Sequence, residues 1–224
     1  MSSHKKRPCL NSVTKKQVMG ITGLLLSGFL ISHLLGNVLI FVGPDAFNKY
    51  SYTLTSNPLI YAAELILGSI AVAHILMAIK LVRENRAARP DGYFMRKHSG
   101  RGATLASATM QYSGLVALVF IVLHIMNLKF GTHYDTTVNG VVMRDMYRTT
   151  IEYMANPLHL LWYIVAVSVL GLHVSHGFWS AFQSIGLNHP KYMPKIQCLS
   201  KLFGVLVAVG FSVIAIYCFI QGAK

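Results

Sequence analysis

The sequence predicts an all-α integral membrane protein with five transmembrane helices, of which four form a core and a fifth lies beside them. Of its 224 residues, 54% are hydrophobic and 12% are charged, whereas roughly 25% are charged in an ordinary soluble domain. The few charged residues are also segregated, so that they separate long apolar runs. Five apolar helices in a chain of this length leave too little polar sequence to cover them in water, which argues against a soluble fold.

Each predicted helix rests on one apolar run. In chain order, these runs lie between Lys16 and Asp45, from Pro58 to Ile79 with Glu64 as the one charge, between Arg101 and Lys129, between Glu152 and Lys191, and between Lys201 and Lys224. A hydrocarbon core about 30 Å thick requires about 20 residues of helix, and each run is long enough. We predict a single membrane domain, residues 1–224, with spans at residues 18–42, 59–80, 104–128, 157–181 and 202–222.

The basic segment at residues 1–16 resembles the start of a secretory signal peptide. The apolar run that follows is longer than the apolar region of a typical signal peptide, however, and it lacks a convincing small-residue cleavage site. We therefore expect this run to be retained as the first span.

The distribution of basic residues predicts the orientation of the helices. When the loops are assigned alternately to the two sides, 15 of the 20 Lys and Arg residues fall on the side of the N-terminus. The positive-inside rule then places the N-terminus in the cytoplasm and the C-terminus outside. This topology, with anionic lipid, explains the net charge of +13, and no basic domain with interleaved aromatic residues indicates nucleic-acid binding. The dense basic cluster from Lys80 to Arg101 also suits a soluble protein partner.

Four histidines, His33, His74, His124 and His173, each lie in a different predicted helix. An ionisable side chain inside a membrane costs a few kcal/mol, so four at related depths indicate a shared ligand. Given the predicted orientation, His33 and His124 fall in the outer half of the membrane, and His74 and His173 fall in the inner half. At 1.5 Å of rise per residue the two levels are about 15 Å apart.

Imidazoles that face each other across a helix bundle bind a haem iron from both sides, and the pairing by depth favours this function. A lone intramembrane histidine more often joins helices by a hydrogen bond or relays protons. Zinc fits less well, because it requires three or four ligands that converge on one point. In the fourth helix the choice of ligand stays open on these grounds, since His173 and His176 share one face at positions i and i+3.

Several longer motifs resemble the di-haem cytochrome b membrane anchor of succinate:quinone oxidoreductases. In this succinate dehydrogenase and fumarate reductase family, one polypeptide carries both haems in five helices. The motifs are TGLLLSGFLISH (Thr22 to His33), GPDAFNKY (Gly43 to Tyr50), NPLIYAAELILGSIAVAH (Asn57 to His74), the span ending in His124, and H-x-x-x-G-x-W from His173 to Trp179. The resemblance runs from about Thr22 to Phe219 and includes the number of helices and the spacing of the histidines.

The resemblance implies two haem b groups, an inner one held by His74 and His173 and an outer one held by His33 and His124. His176 then stands outside the ligand set. It further implies that the chain anchors a flavoprotein subunit and an iron–sulfur subunit to the cytoplasmic face of a prokaryotic inner membrane. Electrons would pass between those subunits and a quinone, menaquinone above all, near the outer surface, as part of the respiratory chain and the tricarboxylic acid cycle. Succinate oxidation and fumarate reduction both fit such an anchor.

Other residues are weaker candidates for roles in such a subunit. Glu64 and Tyr61, at the outer end of the second helix, are candidates for proton exchange with the quinone, although an acid that reaches to the interface explains Glu64 equally well. At the inner end of the third helix the candidates for binding haem propionates are Arg96, Lys97, His98 and Arg101. The positive-inside rule explains basic residues at this end of the helix equally well.

Two further positions qualify the resemblance. Some fumarate reductases of this family carry a glutamate two residues before the fourth-helix ligand, whereas this chain has Gly171, which puts a proton path of that kind in doubt. The fifth helix contains no histidine, and Gly204 and Gly210 indicate a packing role or a dimer contact there.

Two other classes of membrane protein remain alternatives. A haem b anchor of a hydrogenase or a formate dehydrogenase shares the histidine arrangement but is expected to differ in helix count and ligand spacing. A proton-coupled transporter is expected to show inverted repeats or broken helices, whereas proline is absent from the middle of every predicted span. No Gly-rich phosphate loop or Ser-His-Asp arrangement is found, so we expect electron transfer and quinone chemistry in this chain but not the oxidation of succinate itself.

Overall fold

The computed structural model describes residues 11–88 and 109–223. Its helices and strands are α1 (Ser12–Val38), α2 (Pro44–Thr55), α3 (Leu59–Ala87), α4 (Met110–His124), β1 (Asp135–Val138), β2 (Val141–Arg144), α5 (Met146–Met154), α6 (Pro157–Ser184) and α7 (Met193–Gly222). A short 3-10 turn, Leu39–Phe41, extends α1, and a π turn, Ile125–Lys129, extends α4.

Five of these helices are long and apolar enough to cross a membrane. They are α1 with its 3-10 turn, α3, α4 with its π turn, α6 and α7. The predicted class, an all-α integral membrane protein with five transmembrane helices, is therefore confirmed. The described helices overlap all five predicted spans and extend past several of them. At the start of α1 the Asn11 side chain accepts from the Thr14 amide at 2.7 Å and so caps a turn outside the apolar run. Where lipid begins along each helix stays a prediction.

Four of the long helices form a bundle in which α1 packs against α3 and α6, and α4 packs against α6. The fifth, α7, packs along α6 and also reaches α1. The two helices approach closely at Gly171 of α6 and Gly204 of α7, where a Cβ atom at Gly171 would lie 2.6 Å from the Gly204 carbonyl oxygen. Nearby, the Ser200 hydroxyl donates to the Ser175 carbonyl at 2.6 Å. Gly171 is thus a site of backbone contact between helices, which leaves no room for a glutamate.

The helix α3 lies at the edge of the bundle and has no buried residue. In the described part of the chain it forms no extended interface with α4, but polar contacts join the two helices near both ends. Glu64 forms an ion pair with Lys129 at one end, and Arg86 donates to Gln111 at 2.9 Å at the other. On its other side, Glu84 of α3 forms an ion pair with Lys15 of α1, whose side chain is only 3% exposed.

The segments between the spans form a structured cap at the end of the bundle that the charge pattern predicts to face outward. This outer cap consists of α2, the hairpin of β1 and β2, and α5. Asn48 of α2 is almost fully buried; its amide donates to the Asp145 carboxylate and its carbonyl oxygen accepts from the Tyr147 amide, both at 2.8 Å. The Arg144 guanidinium donates to the carbonyls of Leu128 and Lys129 at the end of α4. These bonds fix the cap to the helix that carries His124.

Candidate functional site

The four histidines predicted as ligands come together as two pairs. The ring centroids of His33 and His124 are 5.8 Å apart, and those of His74 and His173 are 6.5 Å apart. One pair bridges α1 and α4, and the other bridges α3 and α6. Neither of these helix pairs forms an extended interface among the described residues, so each pair of rings lies across a gap within the bundle.

The two pairs lie at different levels along the bundle, as the sequence predicts. Thr22 of α1 contacts His74, and His33 follows 11 residues later on the same helix. Ser113 of α4 contacts His173, and His124 again follows 11 residues later. Eleven residues make about three helical turns and about 16 Å of rise, so each helix presents one face to both levels.

We call His74 and His173 the inner pair, and His33 and His124 the outer pair, after the predicted orientation of the helices. In the inner pair, each ring is oriented by a hydroxyl group from a neighbouring helix. Thr22 Oγ1 lies 3.1 Å from His74 Nδ1 and donates its own proton to the Val18 carbonyl at 2.8 Å. Because that proton is already engaged, the hydroxyl oxygen accepts from Nδ1–H, which leaves the Nε2 lone pair of His74 free. An Nδ1–H bonded to an oxygen is the arrangement by which metal-binding histidines are held in one tautomer.

The second ring of the inner pair repeats the arrangement. Ser113 Oγ lies 3.1 Å from His173 Nδ1 and donates to the Met110 carbonyl at 3.1 Å. A glycine follows the hydroxyl residue in both helices. A Cβ atom at Gly23 would lie 3.3 Å from His74 Cε1, and one at Gly114 would lie 3.4 Å from His173 Cε1, so any larger residue would crowd the imidazoles.

The two hydroxyl–glycine pairs are not among the residues predicted from the sequence, although the sequence contains a signal for them. Thr22-Gly23 and Ser113-Gly114 each precede a helical histidine by the same number of residues. This repeated spacing is visible in the sequence, but its meaning depends on which helices are neighbours.

The outer pair has different supports. His124 Nδ1 lies 3.1 Å from the hydroxyl of Tyr163, a residue that is 6% exposed. His33 stacks on Phe29 with centroids 5.2 Å apart, and its Nε2 lies 3.5 Å from the Asn37 amide nitrogen. Phe211 of α7 packs against His33 at 5.8 Å between centroids, so the fifth long helix contributes to the wall of this level.

Both pairs fit a bis-histidine haem. With a metal–nitrogen distance of about 2 Å, two imidazoles on opposite sides of one metal have centroids about 6 Å apart, close to both observed spacings.

Two buried side-chain nitrogens have no hydrogen-bond partner among the described residues, Trp162 Nε1 and Arg144 Nε. Trp162 lies 11 residues before His173 on α6, and therefore on the same face of the helix at the level of His33 and His124. Its indole N–H is placed there to donate to a bound haem. In the part of the chain that the structure describes, no three His, Cys, Asp or Glu side chains form a metal-binding group.

The remaining predicted residues occupy other positions. His176 packs its ring against Trp179 at 5.1 Å, whereas His173 faces His74. The Glu64 carboxylate is engaged by Lys129, and Tyr61 is 72% exposed. The propionate candidates, Arg96, Lys97, His98 and Arg101, lie outside the described residues.

Comparison with known proteins gives an independent result. No protein-family model matches the chain. The chain is 22% identical over 213 residues to the succinate dehydrogenase cytochrome b558 subunit of Bacillus subtilis (strain 168), an alignment that covers 92% of this chain and 96% of that protein. The resemblance inferred from the motifs is therefore confirmed: the chain is related, over nearly its whole length, to a cytochrome b subunit of the succinate dehydrogenase family.

Proposed function

We propose that this protein is a cytochrome b membrane anchor of a succinate dehydrogenase or fumarate reductase complex. In this role it passes electrons between an iron–sulfur subunit and a membrane quinone, for which menaquinone is the favoured candidate. The observation that supports the proposal is the presence of two imidazole pairs, His33 with His124 and His74 with His173. In each pair the rings have the spacing of a bis-histidine haem, and side chains of neighbouring helices contact them. The similarity to a succinate dehydrogenase cytochrome b558 subunit supports the same role.

The ligand assignment follows from the two levels. His74 and His173 bind the inner haem b, and His33 and His124 bind the outer one. When bound, a haem supplies one-electron exchange between ferric and ferrous iron. The hydroxyls of Thr22 and Ser113 accept from Nδ1–H and so hold two of the rings with Nε2 available. The Tyr163 hydroxyl lies 3.1 Å from His124 Nδ1 and takes the same role when Nε2 of His124 binds iron.

The two levels also give the site a direction. The inner pair lies toward the predicted cytoplasmic face, where the flavoprotein and iron–sulfur subunits bind, and the outer pair lies toward the quinone. Moving one charge across the membrane potential involves about 2.3 kcal/mol per 100 mV. With menaquinone as acceptor, succinate oxidation draws on the membrane potential, and fumarate reduction by the same path contributes to it.

The test is a set of reduced-minus-oxidised spectra of the purified complex carrying single histidine substitutions. We expect His33→Ala and His124→Ala to remove one b-haem component, and His74→Ala and His173→Ala to remove the other. His176→Ala is the matched control, because it lies on the same helix face as His173, and it is expected to retain both components. Loss of a component in His176→Ala together with retention of both in His173→Ala would contradict the assignment on α6.

A further inference from the structure

A buried lysine lies near the start of α1, at the end of the bundle that the charge pattern predicts to face inward. The side chain of Lys15 is 3% exposed, and Lys15 is the one buried Lys or Arg among the residues that the structure describes. The positive-inside rule accounts for lysines in contact with the solution, such as the exposed neighbour Lys16. It gives no reason for an ammonium group inside the bundle, where a charge is unfavourable unless it is paired.

The Lys15 ammonium has spare capacity for an anion. It donates to the carboxylate of Glu84 on α3, and no second hydrogen bond of this ammonium is found within the described ranges. An ammonium has three N–H donors. Its partner is also shared with water, because the Glu84 side chain is 41% exposed. A buried ammonium with one half-exposed partner can therefore bind a second acceptor.

Lys15 shares a helix face with the residue that orients His74. Thr22, whose hydroxyl lies 3.1 Å from His74 Nδ1, follows Lys15 by seven residues, which make about two turns and about 10 Å of rise. Because α1 packs against both α3 and α6, this face borders the gap between His74 and His173. Lys15 therefore lies beside that gap, on its inner side.

The anion that fits this position is a haem propionate. A haem carries its two carboxylates on one edge of the ring. A haem held by His74 and His173 with that edge turned inward places the carboxylates between the imidazoles and Lys15. A cation there also acts on the iron, because reduction adds one negative charge to it. The buried ammonium favours the ferrous form more strongly than a cation in water does, since the protein interior screens charge less.

We propose that Lys15 is the counter-ion of the inner haem: its ammonium donates to a haem propionate as well as to Glu84 and raises the midpoint potential of that haem. This inference rests on the proposed function. The raised potential makes the inner haem a better acceptor for electrons from the iron–sulfur subunit. Glu84 is the competing anion, and its charge offsets part of the effect of Lys15.

The competing explanation is that the ion pair only clamps two helices together. It would then join α1 to the edge helix α3, which has no buried residue. Lys15→Met and Glu84→Gln break the same ion pair, so a clamp predicts similar effects of both substitutions. A counter-ion predicts opposite effects on the midpoint potential, because one substitution removes a positive charge and the other removes a negative charge.

The test is a potentiometric titration of the b-haem absorbance bands in the purified complex. Lys15→Met is expected to lower the equilibrium constant for reduction of the inner haem about tenfold, or about 59 mV, whereas Glu84→Gln is expected to raise it. Lys15→Arg keeps the charge and is expected to stay close to the wild type. Lys16→Met is the matched control, because it removes the same charge from the adjacent, exposed position, where water and salt screen it.

A second measurement follows the propionates themselves. In complex loaded with haem whose propionates carry an isotope label, Lys15→Met is expected to shift the labelled carboxylate bands of the redox-difference infrared spectrum. Lys16→Met is expected to leave these bands in place. Labelled bands that Lys15→Met does not move would overturn the bond between Lys15 and a propionate.

The two proposals fail separately in these experiments. Potential shifts of the same sign in Lys15→Met and Glu84→Gln, or an unchanged potential of the inner haem in both, would overturn the role of Lys15 while both haem components remain in the spectrum. If Lys15→Met fails to assemble, Glu84→Gln decides alone, since an unchanged or lowered potential contradicts the proposal. Absence of haem from the wild-type complex would instead overturn the proposed function.

Discussion

The hydroxyl of Ser113 provides the most specific test of how the inner pair is held. Ser113 is 5% exposed, and its Oγ accepts from His173 Nδ1–H at 3.1 Å. Ser113→Ala removes that acceptor and leaves a buried N–H without a partner, which costs about 1–3 kcal/mol. An Nδ1–H that donates to oxygen makes the imidazole a more basic ligand, which favours the ferric state of the bound iron. Loss of this hydrogen bond is therefore expected to raise the midpoint potential of the inner haem.

The expected shift can be sized from the energy of the lost bond. For a one-electron couple, a tenfold change in equilibrium constant corresponds to about 59 mV and about 1.4 kcal/mol. A difference of about 1 kcal/mol between the two oxidation states therefore raises the midpoint potential of the inner haem by about 40 mV. The outer haem is expected to keep its potential, since Ser113 lies about three helical turns from His124.

The assay is a potentiometric titration of the purified complex monitored at the b-haem absorbance bands. Ser69→Ala is the matched control, because Ser69 also donates to a carbonyl within its own helix, that of Leu65 at 2.8 Å, but forms no hydrogen bond with a histidine among the described residues. Unchanged midpoint potentials of both haems in Ser113→Ala, or a shift confined to the component that His33→Ala removes, would refute a role of Ser113 in holding His173.

Three further predictions follow from single contacts. Gly171→Glu is expected to disrupt the packing of α6 on α7 and to lower the yield of folded complex, measured by detergent-extracted haem protein, because a Cβ atom there would lie 2.6 Å from the Gly204 carbonyl oxygen; wild-type yield with full haem content would contradict this. Asn48→Ala is expected to lower the thermal stability of the outer cap, since it removes two buried hydrogen bonds worth about 0.5–1.5 kcal/mol each; an unchanged melting temperature would argue against it. Tyr163→Phe is expected to raise the potential of the outer haem alone, by the same reasoning as for Ser113, and an equal shift of the inner haem would count against the pairing.

The spans and the two histidine levels were predictable from the sequence because both depend on local quantities. Hydropathy and charge determine which segments enter lipid, and the fixed rise per residue converts sequence position into depth. His33 and His124 therefore separate from His74 and His173 in depth without any knowledge of packing. The choice between His173 and His176 needed a resemblance to a known family, because depth does not distinguish two residues less than one turn apart.

The hydrogen bonds around the histidines were not predictable in this way. Thr22 and Ser113 act on histidines of other helices, so their roles depend on which helices are neighbours and how each is rotated. The same holds for Gly171, whose contact with Gly204 is specified only once α7 packs on α6. Tertiary packing, not local preference, determines these roles.

The outer cap lies between these two cases. Its hairpin has a local signal, because Asn139 and Gly140 both adopt positive φ angles, 52° and 80°, as a two-residue turn between β strands requires. Asp145 likewise precedes α5 and accepts from the Arg148 amide at 2.9 Å, as a helix N-cap does. The attachment of the cap to α4 through Arg144 has no such signal, since it joins a strand end to carbonyl groups of a preceding helix.

The most direct test of the central claim is the number of haem b groups bound per polypeptide in the purified complex, measured by the pyridine haemochrome spectrum against protein determined by amino-acid analysis. Two imidazole pairs at two levels predict two haem b groups per chain. A value of one, or the absence of haem, would contradict the account.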